Sequence, residues 1–190
     1  MTSRLRVNTI QSSAGLSTIT VGASSVSFGD IEASKITAST GILFGTDTAT
    51  ANTLDDYEEG TWTPTFYGGT TAGSYTLTVT AAQYVKIGRC VTVTAEIDDI
   101  TTVSAGTGSV RIGGLPFASN GAKTVGGVFV TNFNVDDATA NLASRTEVDG
   151  GDSLAVVKTR DSTGGQYLLV TGKLTDTADM DISITYFTDA

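Results

Sequence analysis

From Cys90 to Ile97 the side chains alternate. Val91, Val93, Ala95 and Ile97 are apolar, and Thr92, Thr94 and Glu96 between them are polar. A period of two places one set on each face of a half-buried strand, and a helix cannot use it. The pattern returns in Ile182-Ser183-Ile184-Thr185-Tyr186. Further strand-like runs fall at residues 61–67, 74–80, 82–87, 109–112, 123–131, 138–145, 153–158 and 166–171, and the last spans 180–187. Gly68-Gly69, Gly113-Gly114, Asn120-Gly121, Asp149-Gly150-Gly151-Asp152 and Gly164-Gly165 supply turns between them. No helical periodicity longer than a turn or two interrupts the series. Short strands broken at regular intervals by turns predict an all-β chain, with a jelly-roll-like β-sandwich over residues 55–190. Composition agrees. There are 22 glycines, threonine is more frequent still, and only 16% of residues are charged, against about 25% in ordinary soluble domains. Threonine's branched, stiff side chain suits a pleated surface.

Residues 1–54 are different. They lack Pro, Trp and Tyr, and their apolar residues come in short pulses: Ile19 and Val21, Val26 and Phe28, Ile36, then Ile42 and Phe44. Two pulses end alike, in Phe28-Gly29-Asp30 and Phe44-Gly45-Thr46-Asp47, and each follows an Ile-Thr pair, a weak internal repeat. So few large side chains cannot offset the chain entropy of this stretch within one copy. The regular Ile, Val and Phe spacing argues against plain disorder. Three copies wound about one axis would supply both a core and strand partners. The expectation is an extended, oligomeric, β-rich N-terminal arm at 1–54, whose core is Ile19, Val21, Val26, Phe28, Ile36, Ile42 and Phe44, followed by a head at 55–190.

The residue inventory narrows the chemistry. The net charge is −9, which argues against nucleic acid, because phosphate binding needs a Lys/Arg patch. No apolar run is long enough for a membrane span, and no signal-peptide pattern is present, so no membrane insertion is expected. The lone Cys90 reads as a small buried hydrophobe. There is no histidine, which removes Ser-His and Cys-His nucleophiles and histidine-ligated zinc. No phosphate-cradling loop occurs. Asp55, Asp56, Glu58 and Glu59 could in principle form a glycosidase pair, but neighbours on a strand point to opposite faces. They read instead as a solvated acidic turn. Asp98-Asp99, Asp136-Asp137, Asp149/Asp152 and Asp176/Asp179/Asp181 are acidic enough to consider for calcium, yet none fits a calcium-loop pattern. Tyr67, Tyr75, Phe133 and Tyr167 lie beside turns, where a ring could stack on a sugar. The expectation is no catalytic residue, no cofactor and no metal.

The densest motif is Leu54-Asp55-Asp56-Tyr57-Glu58-Glu59-Gly60-Thr61-Trp62-Thr63-Pro64. Its order is physically sensible: acids for solvent, Tyr57 and Trp62 to anchor a first strand, Gly60 for a turn, and Pro64 at an edge or strand start. Leu54, Asp55, Tyr57, Glu58, Gly60, Trp62 and Pro64 resemble a signature that recurs in tail-fibre and other virion structural proteins of tailed bacteriophages, cyanophages among them. The resemblance continues in Tyr84-Val85-Lys86-Ile87-Gly88-Arg89-Cys90-Val91 and in Ile112-Gly113-Gly114-Leu115-Pro116-Phe117-Ala118-Ser119. It implies a non-enzymatic virion protein, assembled in the host cytoplasm. Its partners would be two further copies of itself in a homotrimeric fibre or appendage, other virion proteins, and a host surface, with surface glycan as a ligand class. A capsid decoration protein and a non-catalytic glycan-binding module are the alternatives.

Overall fold

The computed structural model describes residues 30, 33, 35–46, 49, 53–54, 56–133, 145–148, 153–157 and 174–189. The chain divides into two units, Met1–Ala38 and Ser39–Ala190. In the first, the described residues Asp30, Ala33 and 35–38 are exposed and carry no strand. In the second, Ile42 and Leu54 form an antiparallel bridge through paired backbone hydrogen bonds of 2.9 Å.

No helix occurs among the described residues, and nine strands do: β1 Tyr57–Thr61, β2 Thr65–Gly68, β3 Ser74–Ile87, β4 Cys90–Ser104, β5 Val110–Gly113, β6 Thr124–Phe133, β7 Arg145–Val148, β8 Ser153–Val157 and β9 Leu174–Phe187. Every pairing is antiparallel, in the order β1-β3-β4-β9-β6-β7-β8-β5-β2. β6 belongs to both halves. Its start pairs with β7, from Thr124↔Val148 to Gly126↔Thr146, and the remainder pairs with β9, from Gly127↔Ser183.

The alternation read from the sequence is the burial pattern of the central pair. Val91, Val93, Ala95 and Ile97 of β4 are buried, as are Met180, Ile182, Ile184 and Tyr186 of β9. They share one core cluster with Phe66 of β2, Val110 and Ile112 of β5, Val128 and Phe133 of β6, and Trp62 and Leu115. Both halves of the strand order therefore feed the same apolar interior. Each fully buried aliphatic or aromatic side chain there contributes roughly 1.5–3 kcal/mol. Phe66 meets Tyr75 edge-on at 4.8 Å and 73°, joining β2 to β3.

Several strand boundaries differ from the sequence reading, and the last strand begins at Leu174, six residues before the expected 180. The expected strand at 61–67 is broken into β1 and β2 around Trp62, Thr63 and Pro64. Pro64 has no N–H for a ladder, and here the chain leaves β3 as a partner and takes up β5. The expected strands at 74–80 and 82–87 are one strand, whose register slips between Thr76 and Thr78 and between Val79 and Ala81. β4 continues past Ile97 to Ser104. The expected strand at 166–171, and all but Arg145 of that at 138–145, lie outside the described residues.

Candidate functional site

The three segments that carry the sequence motifs meet in space. β1 lies along the last turn-proximal residues of β3, with Tyr57 opposite Ile87, Glu58 opposite Lys86 and Gly60 opposite Tyr84. The Gly88 N–H donates to the Asp56 carbonyl at 2.7 Å. Gly60 has no side chain where one would not fit: a Cβ would come within 2.9 Å of the Tyr84 ring. Ahead of the proline, Trp62 is buried, and its indole N–H donates to the Thr94 carbonyl at 3.0 Å. Glu58 and Glu59 of the acidic stretch thus lie in a strand rather than a turn. Both stay wet, because β1 ends the strand order and their side chains are exposed.

Lys86 lies at the centre. It is 3% exposed, and its ammonium forms an ion pair with Asp56. The same ammonium sits 5.2 Å from the centre of the Phe117 ring, a cation–π arrangement that partly replaces lost hydration. Tyr84 packs edge-on against that ring at 5.4 Å and 83°. The Tyr186 hydroxyl donates to the Phe117 carbonyl at 2.8 Å and accepts the Phe117 N–H at 3.4 Å. Burial pushes that hydroxyl up to about 12, and the hydrogen bond to Phe117 pulls the other way. Beside this cluster, Arg89 forms an ion pair with Asp189 and donates from Nε to the Thr188 carbonyl at 3.0 Å, while Thr188 N–H donates to the Arg89 carbonyl at 3.0 Å. The arrangement is a knot of complementary contacts tying β1, β3, the 113–119 connection and the end of β9.

On the opposite face of β1 the Tyr57 hydroxyl donates to Glu59 Oε2 at 2.7 Å. That hydrogen bond, and the carboxylate's charge, raise the Tyr57 pKa. An open groove of about 450 Å³ runs between β1 and β3, lined by Glu59, Gly60, Thr61, Gln83, Tyr84 and Val85. It holds one carboxylate, Glu59. Among the described residues no three His, Cys, Asp or Glu side chains gather as a metal site. Asp98 accepts from the Thr80 hydroxyl at 2.6 Å, and Asp179 accepts from the Thr131 hydroxyl at 2.7 Å and the Asp99 N–H at 3.2 Å. These acids serve hydrogen bonds between strands.

The remaining sequence-derived residues are placed as follows. Leu54 is half-buried and Pro64 buried, and Asp55 lies outside the described residues, as do Ile19, Val21, Val26 and Phe28. Ile36, Ile42 and Phe44 are 63%, 45% and 67% exposed. The sequence reading placed Phe117 in a motif and Tyr186 in an alternating strand, but their meeting was not legible, because it is a contact across 69 residues. A row formed by Tyr57, Ile87, Cys90 and Phe187 was also missed. Each is directly opposite the next in register, so all four share the outer face of the sheet. Among the described residues no helix is long and apolar enough to cross a membrane. The chain matches no family model, no curated protein and no solved structure.

Proposed function

We propose that this chain is a non-enzymatic virion structural protein of a tailed phage, working as a homotrimeric fibre or appendage that meets the host surface. Its fold in this reading is a jelly-roll-like β-sandwich head behind a β-rich oligomeric arm. The observation that carries the reading is the convergence of the motif-bearing segments. Asp56, Gly60 and Trp62, then Tyr84, Lys86 and Gly88, then Phe117 engage one another. Their roles are packing, ion pairing and strand docking, which suits a signature of architecture. The exposed Ile36, Ile42, Leu43 and Phe44 of a single copy support the oligomeric part. Apolar side chains in such a run gain roughly 1.5–3 kcal/mol each when buried, and neighbouring copies would bury them.

Light scattering on the full chain tests the assembly, and gold-labelled antibody on intact particles tests the location. Three chain masses and particle-bound gold are expected. A monomer at micromolar concentration, or particles that never bind the antibody, would sink the reading.

A further inference from the structure

We infer that the outer-face strip Tyr57–Ile87–Cys90–Phe187, with Val85 beside it, is where the head of one copy packs against the head of another. This rests on the oligomeric reading above and names the surface involved. The register fixes the strip. Tyr57 is opposite Ile87, Ile87 opposite Cys90, and Cys90 opposite Phe187, so four strands contribute one continuous row. The next row is Glu59, Val85, Thr92 and Thr185, with the two threonine hydroxyls hydrogen-bonded at 2.9 Å.

An outer face should be polar, because one face of each of these strands already fills the core. Here Tyr57 is 59% exposed, Ile87 52%, Phe187 45% and Val85 38%. Taking about 200 Å² for a whole aromatic side chain and somewhat less for Ile and Val, these four expose roughly 350 Å² of mostly apolar surface. A patch of this size matches the largest apolar patch of a typical soluble monomer, which is often a functional surface. An interface that is about 60% apolar would then cover about 600 Å² per copy, or about 1,200 Å² in all. That is the lower end for specific, stable association.

Position identifies the occupant. The strip lies at the end of the sheet where the chain enters β1, since Asp56 is held by Gly88 in the turn that follows Ile87. Copies joined through the stretch ahead of Asp56 bring this end of their heads together first. Tethering at millimolar effective concentration supplies what a marginal area lacks. A second copy of this chain is therefore the partner that the strip fits.

Cys90, the only cysteine, is a built-in reporter in the middle of the row. In the full-length oligomer a maleimide should label Cys90 at least tenfold more slowly than it labels urea-unfolded chain. Ile87→Glu and Phe187→Glu should restore rapid labelling while the joined arms keep the solution mass, and a cooperative β-type melt is kept. If either variant fails to fold, Ile87→Ser and the labelling of the unmodified chain decide. Rapid labelling of the unmodified chain within an intact oligomer, or labelling that stays slow in the folded variants, overturns the strip and leaves the oligomer standing. A monomeric unmodified chain overturns both.

Discussion

Lys86 and Asp56 form a lopsided pair: the lysine side chain is 4% exposed and the aspartate 38%. The cost of breaking such a pair depends on which charge is left behind. Asp56→Asn leaves a buried ammonium with only the Phe117 ring for compensation, and should lower stability by about 2 kcal/mol, discounted for the exposure of Asp56. Lys86→Met leaves an aspartate that water can reach and an apolar chain in an apolar space, and should cost under about 1 kcal/mol. Urea unfolding midpoints compare the two, and the reverse ranking would refute the argument. Tyr186 gives a pH-dependent prediction. Its folded pKa of about 12 lies above the ordinary tyrosine value of 10.0. Between those values the unfolded chain has lost the proton that the folded chain keeps. Stability is therefore full below pH 10 and falls as pH rises toward 12, by about 2–3 kcal/mol from this group. Tyr186→Phe should be less stable at neutral pH by about 1 kcal/mol, through the lost hydrogen bond. Its melting temperature should fall less steeply above pH 10, and parallel curves would show that Tyr186 is not the titrating group.

Among the elements, β4 shows both what periodicity reveals and what it conceals. Val91 to Ile97 could be read directly, because burial repeats with the pleat. Asp98-Asp99 then breaks the pattern, and the sequence reading stopped the strand there. The structure instead inserts an extra residue. Ile97 is opposite Met180 and Ile100 opposite Ala178, with Asp99 at φ +48° between them. Strict alternation would have turned residue 99 toward the core. The bulge keeps Asp99 exposed and brings in Ile100, which is 0% exposed. A bulge leaves no periodic trace, so only the paired strand discloses it. Asp tolerates this left-handed conformation and a β-branched residue does not. Asp99→Val should cost about 1–2 kcal/mol, and Asp99→Gly should be close to neutral. Equal thermal midpoints for the two variants would contradict a left-handed residue at this position. The same limit applies at Pro64, where the residue type signalled a break but not the exchange of partner from β3 to β5.

At the scale of the whole chain, the antiparallel all-β class was legible because alternation and glycine-rich turns are local. The cluster around Lys86 was half legible. Its segments stood out as motifs, but their meeting depends on pairings such as Tyr57 with Ile87 and on Phe117 reaching Tyr186. The outer strip was not legible at all, since residues 57, 87, 90 and 187 become neighbours only through register. The motif cluster also predicts where the chain can be cut. A fragment of residues 55–190 retains Asp56, β1 and Trp62, and should melt cooperatively with a β-type circular dichroism spectrum. A fragment of residues 65–190 loses the Lys86 counter-ion and a Trp62 side chain that is only 7% exposed. It should be less stable by about 4 kcal/mol or more, and matching midpoints would show that β1 contributes nothing. The contacts of the Gly88-Arg89 turn have a mechanical consequence. Gly88 holds the chain at Asp56 and Arg89 holds it at Thr188, so entry and exit leave side by side from adjacent residues of one turn. Tension between those two points would open β1 and β9 from their ends, loading one hydrogen bond at a time as a zip does, instead of sharing the force along a ladder in shear. A single head strung in series would therefore be the weak link of a thread, and an appendage made of such heads resists pulling only if the force passes sideways from copy to copy.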